Sequence, residues 1–187
     1  MFKKTLLATA TTAALLGPVA AFAAGDMGQG SITFTGSVTE APCSISAADS
    51  NLAINLGQVS KKVLSGAGKF GTPVPIEIHL NGCNFTEDAT THALSLSKVN
   101  LSFPGQTSAD GMIPNAGDAT GVAIQLMEAD NTTKVNFTGA TAGSHGVQMH
   151  QGNGNILSLL ARIANTGTSA AGAGSVSAKV TYMLEYK

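Results

Sequence analysis

The sequence predicts an all-β domain built as a β-sandwich, on three observations. Glycine makes up 22 of the 187 residues, and with 7 Phe, 2 Tyr and no Trp this indicates many turns around a core of small aliphatic side chains. Apolar residues alternate with polar ones in short runs, which is the period of a strand buried on one face. Clusters of Gly, Pro, Asn and Asp separate these runs, as turns separate short strands.

The first predicted strand covers residues 31–38, where Ile32, Phe34 and Val38 share one face and hydroxyl side chains occupy the other. Four further runs show the same alternation, at residues 52–56, 76–80, 94–96 and 122–126. The run at residues 156–164 fits both a helix and a strand, but its length of nine residues between Gly- and Asn-rich turns favours a strand. Residues 61–64 could form one helical turn. About seven strands are expected, and this number is typical of a sandwich.

The end of the chain has the clearest alternation. Its apolar side chains share one face, namely Val176, Ala178, Val180, Tyr182, Leu184 and Tyr186. A terminal strand of this kind must pair with something, because an open edge exposes unpaired main-chain groups. The strand could belong to an ordinary sheet. Alternatively, residues 24–30, which have no apolar pattern of their own, could be an arm leading into a strand that pairs elsewhere.

The N-terminus has the pattern of a secretory signal peptide at residues 1–23. Lys3 and Lys4 precede an apolar run, and Ala21-Phe22-Ala23 offers small residues at the positions that a signal peptidase reads. A retained N-terminal anchor is the alternative. No later run approaches the roughly 20 apolar residues of a membrane helix, so no integral membrane segment is expected after cleavage. We therefore expect an exported protein.

Charge argues against a nucleic acid as partner. Lys and Arg number 10 against 11 Asp and Glu, which gives a formal charge of −1, and no stretch concentrates the basic residues. The hydrophobic fraction of 43% also excludes a disordered polyelectrolyte.

The only two cysteines, Cys43 and Cys83, are expected to form a structural disulfide. In an oxidising compartment such a lone pair is more often a bridge than a redox or metal site. The alternatives fit less well, because the chain has no CxxC motif and no histidine cluster near either cysteine.

No residue pattern points to catalysis, and neither a cofactor nor a metal is expected. The four histidines, His79, His92, His145 and His150, are scattered, and the sequence contains no HExxH motif and no nucleophile elbow. A metal site at His145 and His150 would lack a third ligand. An exported sandwich enzyme such as a copper-zinc dismutase would require more histidines than four.

The chain resembles the pilin subunits of chaperone-usher fimbriae, especially the rod subunits of P and type 1 pili. The resemblance covers nearly the whole precursor. Its parts are the signal peptide, Gly28-Gln29-Gly30, Phe34-Thr35-Gly36, Ala41-Pro42-Cys43-Ser44-Ile45, Leu56-Gly57-Gln58-Val59, Cys83 and the terminal alternation. Gly174 is fourteenth from the end and Tyr186 is penultimate, as in the pattern that such subunits use for chaperone recognition.

The resemblance implies an incomplete immunoglobulin-like sandwich that lacks its last strand and is completed by a donor strand from another chain. It assigns residues 24–34 to the donor-strand extension and residues 35–187 to the pilin domain. The implied donor positions are Gly28, Gly30, Ile32 and Phe34, with Gly30 as the small residue required where the groove is shallow. The implied groove and chaperone or usher recognition residues are Gly174, Val176, Ala178, Val180, Tyr182, Leu184, Tyr186 and Lys187.

The resemblance also implies the partners and the location. The subunit would bind a periplasmic chaperone and then an outer-membrane usher, and would join identical or related pilins in an extracellular fimbria of a Gram-negative bacterium. Its function would be structural, as a polymerising shaft subunit that supports cell adhesion. A minor adaptor subunit or an adhesive pilin of the same fimbria is the alternative.

Overall fold

The computed structural model describes residues 30–187, and the signal peptide, most of the arm and Gly28 lie outside the described residues. Residues 40–187 form one compact unit, and residues 30–39 belong to another. The strands are β1 (Ser44–Ile45), β2 (Val74–Asn81), β3 (Lys98–Ser102), β4 (Met112–Pro114), β5 (Val122–Glu128), β6 (Val147–Gln148), β7 (Asn155–Asn165) and β8 (Met183–Tyr186). Two short 3-10 helices occupy Asp49–Asn51 and Gly139–Thr141.

The strands form two antiparallel sheets. The larger sheet has the order β1-β2-β7-β5-β4 and the smaller has the order β6-β3-β8. Their facing apolar side chains form the larger of two core clusters, with Ile78, Leu80 and Leu157 from the larger sheet and Val99 and Leu101 from the smaller. The fold is therefore an all-β, immunoglobulin-like sandwich, as the sequence predicts.

Three predicted strands are confirmed, those at residues 76–80, 122–126 and 156–164, which lie in β2, β5 and β7. These strands are neighbours in the larger sheet, and β7 pairs with β2 on one side and with β5 on the other. β7 is a strand even though its apolar spacing also fits a helix, because both of its edges find partners.

The prediction at residues 94–96 is wrong. Leu96 has φ of 54°, which no β-strand accommodates, and the hydroxyl of Ser97 donates to the carbonyl oxygen of Leu94 at 2.7 Å. The segment is therefore a turn, and the strand begins two residues later, at Lys98. Residues 61–64 form a turn closed by one hydrogen bond from the Val63 N–H to the Ser60 carbonyl, and a single such bond does not make a helix.

Three other alternating segments are not strands over their full length. Residues 31–38 and 52–56 contain no strand, and of the terminal run only Met183–Tyr186 is one. The reason is pairing, because a strand is stabilised by a neighbour and these segments have none within the described chain. β3 ends at Ser102, opposite Met183, so the residues that precede Met183 have no strand beside them.

Candidate strand-binding groove

A long apolar groove of about 1250 Å³ opens into the core of the sandwich. We call its two sides the N-terminal rim (residues 50–59) and the C-terminal rim (residues 172–182). Its floor is formed by core side chains, among them Ile76, Ile78, Leu101, Phe103, Ile113, Ile124, Leu126, Leu159 and Ala161. Of these side chains only Ile76 is partly exposed and the others are buried, so the groove lies directly over the core.

Both rims have main-chain groups without partners. Within residues 30–187, neither residues 52–59 nor residues 178–182 form a main-chain hydrogen bond to a neighbouring segment. The side chains of the C-terminal rim nevertheless alternate as in a strand, with Val176, Val180 and Tyr182 turned toward the core and the intervening residues exposed. Two free strand edges that face each other across an apolar floor are a site for one additional strand.

One end of the C-terminal rim is fixed by close main-chain packing. The N–H of Ala119 donates to the carbonyl of Ser175 at 3.0 Å, and the N–H of Gly172 donates to the carbonyl of Thr120 at 2.9 Å. A Cβ atom at Gly174 would clash with the main chain of Asp118 and Ala119. Glycine is therefore required at this position by the approach of two backbones, within the subunit itself.

Asn115 strengthens the same contact with both ends of its side-chain amide. Its Oδ1 accepts from the N–H groups of Gly117 and Ser177, and its Nδ2 donates to the carbonyl of Ala119 at 2.9 Å. Sequence reasoning missed this residue, because an Asn in a Gly-rich turn gives no signal of a partner some 60 positions away.

The end of the chain lies in the smaller sheet, beyond the groove. Leu184 pairs with Leu101 and packs on the core, as does Tyr186. The main chain of Lys187 exchanges two hydrogen bonds with Lys98, at 2.8 and 3.0 Å. Of the predicted recognition residues, Gly174, Val176, Ala178, Val180 and Tyr182 thus line the groove, whereas Leu184, Tyr186 and Lys187 do not.

At the opposite end of the groove, Tyr182 contacts Asp49, the residue directly before the N-terminal rim. Its hydroxyl donates to the main-chain oxygen of Asp49 at 2.8 Å. The Asp49 carboxylate accepts from the main-chain N–H of His79 at 2.7 Å and contacts His79 Nδ1 at 2.9 Å, and these bonds hold the pKa of Asp49 below its usual range. Burial, with the charge of Asp49, raises the pKa of Tyr182.

Cys43 and Cys83 form the predicted disulfide. The bridge lies beside the pairing of β1 with the end of β2, where Ser44 faces Asn81. It therefore joins the segment that leads into the N-terminal rim to the fully paired part of the larger sheet.

The described part of the arm has large apolar side chains in water. Ile32 is 81% exposed and Phe34 is 87% exposed, and no strand is assigned to residues 30–39. A Cβ at Gly30 would meet no atom within 4 Å.

The four histidines do not converge. His79 contacts Asp49, His92 contacts Glu87 and His145 lies near Glu128, while the ring of His150 is bonded to the carbonyl of Gln151. Over residues 30–187, no group of three or more His, Cys, Asp or Glu side chains is placed to hold a metal ion. No helix in the same range is long and apolar enough to cross a membrane.

The model of the family described as Fimbrial protein matches residues 32–187, which include both rims, the disulfide and the paired sheets. The chain belongs to this family. Among its relatives, the uncharacterized fimbrial-like protein YbgD of Escherichia coli K12 is 31% identical over the full length of both chains. The probable major fimbrial subunit LpfA of Escherichia coli O157:H7 is 30% identical, over 99% of this chain and 97% of its own.

Solved structures agree with this assignment. One match is a subunit in the structure of a chaperone-usher pilus that reveals the molecular basis of rod uncoiling. It matches this fimbrial protein with a TM-score of 0.69 and 29% identity, over 86% of this chain and 97% of its own. The P pilus rod subunit PapA matches with a TM-score of 0.58 and 25% identity, over 79% of this chain and all of its own. The protein is therefore a structural subunit of a fimbria.

Proposed function

We propose that the groove receives the N-terminal arm of a second subunit as a donor strand, and that repetition of this step builds the shaft of the fimbria. The proposal rests on one observation: the main-chain groups of both rims lack hydrogen-bond partners, and the floor between the rims is apolar. An inserted strand would supply main-chain partners to both rims at once, and it would cover the floor.

The arm has the side chains that such a strand needs. Transfer of Ile32 and Phe34 from water into the groove would contribute roughly 1.5 to 3 kcal/mol for each side chain. The main-chain ladder formed with the rims would add roughly 0.5 to 1.5 kcal/mol per hydrogen bond. Residues that are exposed in one chain would thus be buried in the polymer.

The same open edges explain why the subunit would need a chaperone. An empty groove with free strand edges tends to aggregate, so a periplasmic chaperone that lends a strand would protect the subunit until an outer-membrane usher replaces that strand with an arm. We assign the contact with the chaperone to the C-terminal rim together with Leu184, Tyr186 and Lys187. Export would use the signal peptide at residues 1–23, and the final location would be the extracellular fimbria.

We assign the protein a mechanical role without catalysis. Support comes from the family, whose members are structural pilins, and from the separated positions of the histidines. Cell adhesion would follow from the shaft, which displays other subunits.

Removal of residues 24–34 tests the proposal. The mature chain should form fibres visible by electron microscopy and oligomers that resist dissociation in detergent, whereas the truncated chain should form neither, because it offers no strand. Fibres from the truncated chain, or equally monomeric and equally stable proteins, would overturn the proposal.

Gly30→Leu tests the donor assignment with a matched control, Gly36→Leu. A Cβ at either glycine meets no atom within 4 Å in the single chain, so neither substitution should change the subunit itself. Gly30→Leu should slow polymerisation while leaving the chaperone-bound subunit intact, because the larger side chain would clash in the groove of the next subunit. Gly36→Leu, outside residues 24–34, should polymerise normally.

A further inference from the structure

We propose that Asp49, His79 and Tyr182 form a positioning cluster that holds the two rims at the separation required by an incoming strand. This inference rests on the proposed function of the groove. It assigns to three residues the task of keeping one end of the groove ready before any strand arrives, in addition to their place in the folded subunit.

The cluster joins three elements that the sequence separates widely. Tyr182 belongs to the C-terminal rim, Asp49 begins the 3-10 helix that leads into the N-terminal rim, and His79 lies in β2. The Tyr182 hydroxyl donates to the main-chain oxygen of Asp49 at 2.8 Å, and the Asp49 carboxylate is bound in turn by two groups of His79. Each rim is thereby connected to the paired sheet.

This connection has no substitute elsewhere along the groove. In the described part of the chain, no other hydrogen bond joins residues 49–59 to residues 172–182. At the opposite end, Asn115 accepts from the N–H of Ser177 and Ala119 donates to Ser175, so the C-terminal rim is bound there to the loop before β5 and not to the N-terminal rim. The separation of the rims at that end is set by apolar packing, in which Val176, Val59 and Leu64 contribute to one cluster.

Asp49 is suited to this role because it is held firmly. It is only 6% exposed, and its carboxylate oxygen Oδ2 has both a main-chain and a ring partner on the same residue. A buried carboxylate without partners would be costly, so the side chain of Asp49 is effectively confined to this position. Its main-chain oxygen is consequently a fixed acceptor for Tyr182.

A fixed separation between the rims should increase affinity for the donor strand. A binding site that is already formed loses less conformational freedom on binding than one that must become ordered at that moment. Without the Tyr182 hydroxyl, the C-terminal rim could move away from Asp49 in the empty subunit. An incoming strand would then have to restore the separation in addition to forming its own hydrogen bonds.

The experiment measures binding of a fluorescent peptide with the sequence of residues 24–38 to the full mature subunit. All proteins carry Gly30→Leu, which should slow polymerisation through their own arms and leave their grooves free for the peptide. Tyr182→Phe keeps the ring and removes only the hydroxyl, and we expect peptide affinity to fall about three- to tenfold, the effect of losing one partly buried hydrogen bond. His79→Ala, which removes a partner of Asp49 but not the tyrosine, should lower affinity by a smaller factor.

Ser97→Ala is the control. It also removes one hydroxyl with a partly buried hydrogen bond, to the carbonyl of Leu94 at 2.7 Å, and Ser97 does not line the groove. We expect it to bind the peptide as the parent does. The thermal midpoints of the Tyr182→Phe and Ser97→Ala subunits are measured in parallel, so that a general loss of stability can be separated from a loss of affinity.

The possible outcomes separate this inference from the proposed function. If the parent does not bind the peptide, the proposed function fails and the inference fails with it. If the parent binds while Tyr182→Phe and His79→Ala both bind equally well, the groove is a strand site but the positioning cluster is wrong. If Tyr182→Phe does not fold, the inference is tested by His79→Ala alone. Unchanged peptide affinity of the His79→Ala subunit would then overturn it.

Discussion

The larger sheet and the groove contain segments with the same alternation of apolar and polar residues, but only the segment in the sheet forms a strand. Residues 76–80 alternate and form β2, which is paired along its length with β7. Residues 52–56 alternate in the same way and form no strand, because no segment within residues 30–187 forms main-chain hydrogen bonds with them. Alternation therefore orients side chains, but only a neighbouring strand makes the segment part of a sheet.

The C-terminal rim shows both situations within one continuous run. Met183–Tyr186 pairs with β3 and is a strand, whereas residues 178–182 carry the same alternation and lack partners. The transition falls where β3 ends. The rims of the groove are thus held in place at their ends, where they attach to the paired sheets. Substitutions at these ends test the attachments.

The largest effect is expected from removing the disulfide, which ties the open side to the paired side. The Cys43→Ser/Cys83→Ser variant should lose about 3 to 4 kcal/mol of unfolding free energy, because the bridge closes a loop of 40 residues. Urea unfolding of the oxidised parent and the variant measures the difference. A loss below about 1 kcal/mol would mean that packing alone attaches the N-terminal rim to β2.

Substitution of Gly174 should break the attachment at the other rim. Gly174→Ala introduces a Cβ against the main chain of Asp118 and Ala119, and we expect a loss of about 1 to 3 kcal/mol, because neither backbone can move cheaply. Gly167→Ala is the control, since its Cβ meets no atom within 4 Å. Equal unfolding free energies for the two variants would contradict the backbone-contact explanation of Gly174.

Asn115→Ala should weaken the same attachment without steric conflict. The substitution leaves the N–H of Ser177 and the carbonyl of Ala119 without this partner, at a cost of about 1 to 2 kcal/mol. Asn153→Ala, which removes a single exposed hydrogen bond to Gly82, is the comparison and should cost less. Hydrogen exchange should show faster opening at residues 175–177 in the Asn115 variant alone.

The smallest effect concerns Glu128, a carboxylate in the paired sheet. Burial raises the pKa of Glu128, although its Oε1 accepts from the N–H of His145 at 2.9 Å. A carboxyl with a raised pKa in the folded state destabilises that state once the pH exceeds its unfolded value, and the penalty is absent at lower pH.

Glu128→Gln keeps an acceptor for His145 and removes the charge. We expect stability at pH 7 to rise by less than about 1 kcal/mol and stability at pH 3.5 to stay unchanged. Asp49→Asn should show the opposite behaviour, because its pKa is lowered, so the stabilisation from the carboxylate is present above about pH 4 and is lost as the pH falls through the folded pKa. The same sign of change in both variants at pH 7 would contradict the assigned pKa directions.

The fold class, the disulfide and the three central strands could be predicted from the amino-acid sequence alone. β2, β5 and β7 could be predicted because they are apolar runs bounded by turn residues, and each has a partner strand. The family resemblance extended this to the terminal alternation and to the arm. The strands and turns are local features, since they depend on spacing and composition within about ten residues, whereas the disulfide followed from the presence of only two cysteines.

Which alternating segments remain without partners could be seen only in the folded chain. It showed that residues 50–59 face residues 172–182 across the groove, that Gly174 lies against the main chain of Ala119, and that Tyr182 reaches Asp49. These contacts join positions 55 to 133 residues apart, and no local pattern encodes them. Pairing and close approach are properties of two segments together, so the sequence of either one does not contain them.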